Sequence, residues 1–143
     1  MTTLVQQSDE SSISHSDQAK SENNSVLGVG SRLASGPAAE LVQTAFAREL
    51  TDQLALFKGM SFADMAHTVM LIEVGIIPPA EGSALLSALF ALHKYPSDFN
   101  PNPALGDLYT NREAWITAQT STVGWLGAGR ARRESTTTGY RIT

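Results

Sequence analysis

The stretch WLGAGRARRESTTTGY, Trp125 to Tyr140, sets Arg130, Arg132 and Arg133 just behind Gly127 and Gly129 and ahead of a run of hydroxyls. Glycines beside cations invite a phosphate-loop reading. That loop needs Gly-Lys followed by Ser or Thr, because the lysine reaches the phosphates and the hydroxyl holds magnesium. No lysine is present here, and the spacing differs. A dinucleotide fingerprint must follow a strand inside a βαβ unit, and no strand pattern precedes these glycines. A nucleic-acid patch is opposed by Glu134 within the cluster and by a formal net charge of −4 for the whole chain. Two readings of the local residues remain. One is a helix amino terminus flanked by guanidinium groups, which suits a carboxylate or phosphate. The other is a solvated helix start whose arginines sit at the unfavourable, positive end of the dipole.

The rest of the composition narrows the chemistry. The 143 residues suffice for one domain with a modest core, and 42% are hydrophobic, as in ordinary globular proteins. Cysteine is absent, which excludes disulfides, thiolate metal sites and a cysteine nucleophile. No run of about 18 apolar residues suggests a membrane span. The amino terminus carries serines and acids rather than the basic-then-apolar order of a signal peptide. A soluble, cytoplasmic protein without cofactor or metal is the expectation.

The elements that must position the arginines are helices. Residues 1–27 are rich in Ser, Gln, Asn, Asp and Glu with little to bury, which predicts a disordered arm in which His15 is solvated. A first helix is expected from a Ser35 cap through Pro37 and Glu40 to a stop at Gly59, with Leu41, Val42, Ala45, Phe46, Leu50, Leu54 and Phe57 at helical spacing. A second begins at Ser61, turns Met65, Ala66, Val69 and Ile72 inward, and ends at Gly75. A third starts near Pro79 and carries Leu85, Leu86, Leu89, Phe90 and Leu92, with His93 complementing the dipole at its end. Pro96, Pro101 and Pro103 then impose a loop, and a fourth helix covers DLYTNREAWITAQ from Asp107. Trp115 and Trp125 read as core or interface aromatics. The fold class is all-α.

Two motifs taken together carry a family likeness. Asp107, Leu108, Tyr109 and Glu113, followed by Leu126, Gly129, Arg130 and Arg132, resemble paired segments of argininosuccinate lyase and its relatives in the fumarase/aspartase superfamily. Ala66, His67, Met70, Leu71 and Gly75 resemble that family's Ala-His-x-x-Met-Leu helix and turn. The likeness runs over roughly residues 30–143 in order. It implies a small helical first domain over 28–105, and over 106–143 the start of a central helical bundle through which four subunits assemble. It also implies β-elimination that releases fumarate from an N-substituted succinate, with the arginine turn gripping substrate carboxylate.

The likeness further assigns substrate-binding positions. Arg130, Arg132 and Arg133 would meet a carboxylate, and Asp64, standing where the family has a serine, would line the same cleft. Several positions depart from the family: Gly127-Ala128 replaces His-Thr, Ala131-Arg132-Arg133 replaces Ser-Arg-Asn, and Glu134 replaces Asp. These changes point as readily to another N-substituted succinate as to argininosuccinate. His67 reads first as a packed or capping histidine. The family's serine-bearing loop has no counterpart here, so no catalytic residue is assigned. Residues 128–143, as the first turns of a longer helix, are expected to fray. The partners expected are a small dicarboxylate and either further copies of the chain or a complementing lyase subunit. A non-catalytic helical module that associates with a lyase subunit is the alternative.

Overall fold

The computed structural model describes residues 36–143, and every element among them is helical, with no strand. The expected arm over 1–27, His15 and the Ser35 cap lie outside the described residues. The first helical stretch opens as α1 (Ala39–Leu41), passes through a π segment (Val42–Phe46) and continues as α2 (Ala47–Gln53). A single 3-10 turn, Leu54–Leu56, then leads directly into α3 (Phe57–Glu73). Gly75, at φ 73°, makes the left-handed turn out of α3. Pro79 opens α4 (Pro79–Lys94) from a Pro78 cap. Two 3-10 turns, Pro96–Asp98 and Pro103–Leu105, carry the proline-rich connection. Helix α5 (Leu108–Gln119) leads through a 3-10 segment, Ser121–Gly127, to α6 (Arg132–Ile142). Among the described residues no helix is long and apolar enough to cross a membrane.

The start of α3 corrects the expected boundary. Gly59 does not stop a helix, and Ser61 does not cap one. Both lie inside α3, and the break falls earlier, at the 3-10 turn. The Ser61 hydroxyl donates to the Phe57 carbonyl at 2.9 Å, one helical turn back.

The inward face of α3 is also different. Met60, Ala63, Asp64, Thr68 and Leu71 are buried, while Val69 is 39% exposed and Ala66 faces solvent. Both sides of α3 are apolar, so periodicity alone does not choose between them. The choice follows the polar residues: Ser61 and Asp64 find partners only on the side that meets α5 and α6.

The core gathers Leu50, Leu85, Leu89, Leu92, Leu108 and Ile116 from α2, α4 and α5, with Leu126 from the last 3-10 segment. Each such side chain contributes about 1.5–3 kcal/mol by leaving water. Trp115 and Trp125 pack partly buried against this cluster. Helix α6 docks along α3 rather than fraying, with Ser135 and Gly139 buried in the contact.

Candidate functional site

The amino end of α6 is built from below by a buried ion-pair network. Helix α3 supplies Asp64, which is 1% exposed. Its Oδ2 accepts from Arg112 Nη2 at 2.9 Å, and its Oδ1 accepts from Arg130 Nη2 at 2.5 Å and from the Ser135 hydroxyl at 2.7 Å. Arg112, also 1% exposed, donates through Nη1 to Ser61 Oγ at 2.9 Å. Its guanidinium carbon lies 4.9 Å from the centre of the Phe57 ring. Of the Arg112 nitrogens, Nε is buried without a hydrogen-bond partner. Burial pulls the Arg112 pKa below its ordinary range, against the raising effect of Asp64.

The turn itself is shaped by Gly129, whose φ of 70° suits a residue without Cβ. Arg130 Nε donates to the Leu126 carbonyl at 3.0 Å, folding its side chain back under the turn. His67 Nε2 donates to the Ala128 carbonyl at 2.9 Å from the α3 side. Burial, then the Arg130 cation, lowers the His67 pKa from 6.5. At the helix start, the Glu134 carboxylate accepts from the Ala131 N–H at 3.0 Å, which is half of a capping box. Ala131 has no hydroxyl to complete it.

Arg132 reaches the other way, toward the amino end of α5. Its Nη2 donates to Asp107 Oδ1 at 3.0 Å and to the Thr110 hydroxyl, and its guanidinium lies 4.8 Å from the Tyr109 ring centre. Asp107 simultaneously caps α5 by accepting from the Thr110 N–H at 2.8 Å. Burial raises the Tyr109 pKa above 10.0 and that of Glu113 above 4.5.

The four residues assigned from sequence thus occupy three layers. Asp64 sits beneath the turn rather than beside it, with both oxygens engaged. Arg130 is joined to it, its side chain 7% exposed. Arg132 is at the rim, its side chain 41% exposed and oriented by three neighbours. Arg133 is exposed, with no ion-pair partner among the described residues. Arg112, Ser61 and Ser135 were missed. A signal existed for Arg112, which shares the buried stripe of α5 with Leu108 and Ile116 at fourfold spacing. A charge there demands a buried opposite charge.

Curated proteins to which this chain is similar include two argininosuccinate lyases. The argininosuccinate lyase of Methanosphaera stadtmanae is 32% identical over 90 residues, covering 62% of this chain and 19% of the relative. The argininosuccinate lyase of Methanothermobacter thermautotrophicus is 28% identical over 113 residues, covering 78% of this chain and 24% of the relative. No family model matches, and no solved structure matches. The chain therefore spans about a fifth to a quarter of the length of the curated relatives it matches. Over that part it is an all-helical chain similar to argininosuccinate lyases.

Proposed function

We propose that the chain is an amino-terminal part of an argininosuccinate lyase-like enzyme, and that the turn opening α6 binds one carboxylate of an N-substituted succinate. The observation that carries this reading is the placement of Arg132. Its guanidinium is half-exposed at the amino end of an eleven-residue helix and held in orientation by Asp107, Thr110 and the Tyr109 ring. Arg133 stands beside it, exposed and with no ion-pair partner among the described residues. A fixed guanidinium meets a carboxylate through two parallel N–H donors, and the helix amino terminus adds favourable field.

In β-elimination of this type a proton leaves the carbon next to a carboxylate, and negative charge spreads onto that carboxylate as the C–N bond breaks. An oriented cation there stabilises the charge as it develops. Arg130 and Asp64 act underneath, holding the turn. The reading assigns no general base to the described residues, so the base belongs to sequence or subunits beyond them.

The second reading, a non-catalytic helical module, draws on the docking of α6: the last helix is packed on α3 by the chain's own residues. Side-chain NMR tests the first. Argininosuccinate or fumarate should shift the Nε–H signals of Arg132 and Arg133, acetate should do so more weakly, and Arg132→Ala should weaken binding at least about tenfold. Unmoved arginine signals at millimolar dicarboxylate would sink it. Fumarate release on mixing the chain with a lyase lacking its own amino-terminal region then separates an active segment from a merely associating module.

A further inference from the structure

We propose that α3 pairs antiparallel with α3 of a second copy of this chain, through its outward face. A helix with one core-facing side is expected to be polar on the other. α3 instead exposes Lys58, Phe62, Ala66, Val69 and Glu73 along one outward stripe, with Met65, partly buried against the core, at its edge. At 3.6 residues per turn these six fall within about 100° of one another. Phe62 is 42% exposed and Val69 39%. The stripe borders a groove of about 470 Å³ between α3 and α4, to which Leu86 and Phe90 contribute. Phe90 is itself 55% exposed. Such a continuous apolar strip marks an interaction surface.

The ends of the stripe identify the occupant. It begins with a cation, Lys58, and finishes with an anion, Glu73, while its middle is the small residue Ala66. An antiparallel copy related by a two-fold axis beside Met65 and Ala66 sets Lys58 against Glu73 of the partner subunit. The same operation sets Phe62 of the partner subunit against Val69 and the groove wall at Leu86. Every contact then occurs twice, as a two-fold interface requires. A parallel copy would oppose like charges. This pairing uses α3, not the segment after residue 105 to which the family likeness assigns assembly, and it stands apart from the carboxylate reading.

The test is sedimentation equilibrium on the full 143-residue chain, where a concentration-dependent dimer is expected. Phe62→Glu should raise the dimer dissociation constant about a hundredfold. Lys58→Glu, which sets a glutamate against Glu73 of the partner subunit at each end of the interface, should raise it about tenfold, and Lys58→Glu with Glu73→Lys should restore it. Because the chain has no cysteine, Ala66→Cys should cross-link to itself on oxidation, while Ala118→Cys on α5 should not. Circular dichroism confirms that each variant is folded. A monomer at every concentration overturns the proposal, as does a dimer indifferent to Phe62→Glu or a charge swap that fails to restore pairing. Capture of residues 1–35 by the stripe in a monomer, seen as cross-links from Ala66→Cys to that segment, overturns it as well.

Discussion

Gly59 of α3 and Gly139 of α6 meet backbone to backbone. A Cβ built on Gly59 would stand 2.5 Å from the Gly139 carbonyl oxygen and 2.9 Å from its Cα, and one built on Gly139 would stand 3.0 Å from the Met60 nitrogen. Neither obstacle is a flexible side-chain tip, so the helices themselves would have to part. Gly59→Ala gains about 1 kcal/mol of helix propensity, yet separating α3 from α6 costs more. The expected net result is a loss of about 1–3 kcal/mol in urea unfolding. Gly36→Ala, with nothing within 4 Å of the added carbon, should leave stability within about 0.5 kcal/mol. Equal effects at both positions would show that the crossing is looser than drawn.

Asp64 neutralises two arginines that are themselves almost without solvent. Asp64→Ala should cost about 3–5 kcal/mol, because Arg112 is left as an uncompensated buried charge. Combining Asp64→Leu with Arg112→Met removes the more deeply buried pair and should recover part of that loss, with Arg130 left unpaired. A double variant no more stable than Asp64→Ala would show that the cost comes from Arg130 and the turn instead.

His67 gives the fold a dependence on acid. Burial, followed by the Arg130 cation, holds its folded-state pKa below 6.5. The unfolded chain therefore takes up a proton near pH 6.5 that the folded chain refuses. Stability from this residue is intact above pH 6.5 and declines as pH falls from there toward the folded-state value. His67→Gln should flatten the stability profile across that window while keeping a donor near the Ala128 carbonyl. Urea midpoints between pH 7.5 and 5.5 check this; identical slopes for both proteins would count against it.

Glu113 works with the opposite sign. Burial raises its pKa above 4.5, so the folded chain holds a proton that the unfolded chain has released. Its contribution is most favourable below pH 4.5 and is lost as pH rises through the folded-state value. Glu113→Gln should therefore stabilise the protein at pH 7 and lose that advantage at pH 4. No gain at pH 7 would mean that Arg132 already compensates the carboxylate.

Much of this architecture is legible in the sequence. Gly75, Pro79 and Asp107 mark their turns and caps because each acts through local backbone chemistry, which a sequence displays directly. Of the five apolar residues expected to carry α4, Leu85, Leu89 and Leu92 are buried, while Leu86 is partly buried and Phe90 is exposed. The boundary at Gly59 was misread because a glycine that ends a helix and one that lets two helices touch look alike until the second helix is placed. The inward face of α3 is legible only in part: Met65 packs against the core as expected, whereas Ala66 and Val69 turn outward, and only distant arginines decide between them and Met60 and Leu71. The arginine turn was legible as a cluster, but the division of labour within it was not. Arg130 faces inward and Arg132 outward because Asp64 and Asp107 lie on opposite sides of the turn.

The partners of Asp64 come from 48, 66 and 71 residues away along the chain. By contrast, α3 and α4 are neighbours joined by a tight turn. Local pairings close cheaply and early, whereas contacts over such separations wait for larger loops to close. The α3–α4 hairpin is thus a local pairing, whereas the arginine turn is held by contacts that each close a loop of about 50–70 residues. Whatever the turn grips, its shape depends on α3, α5 and α6 being packed together.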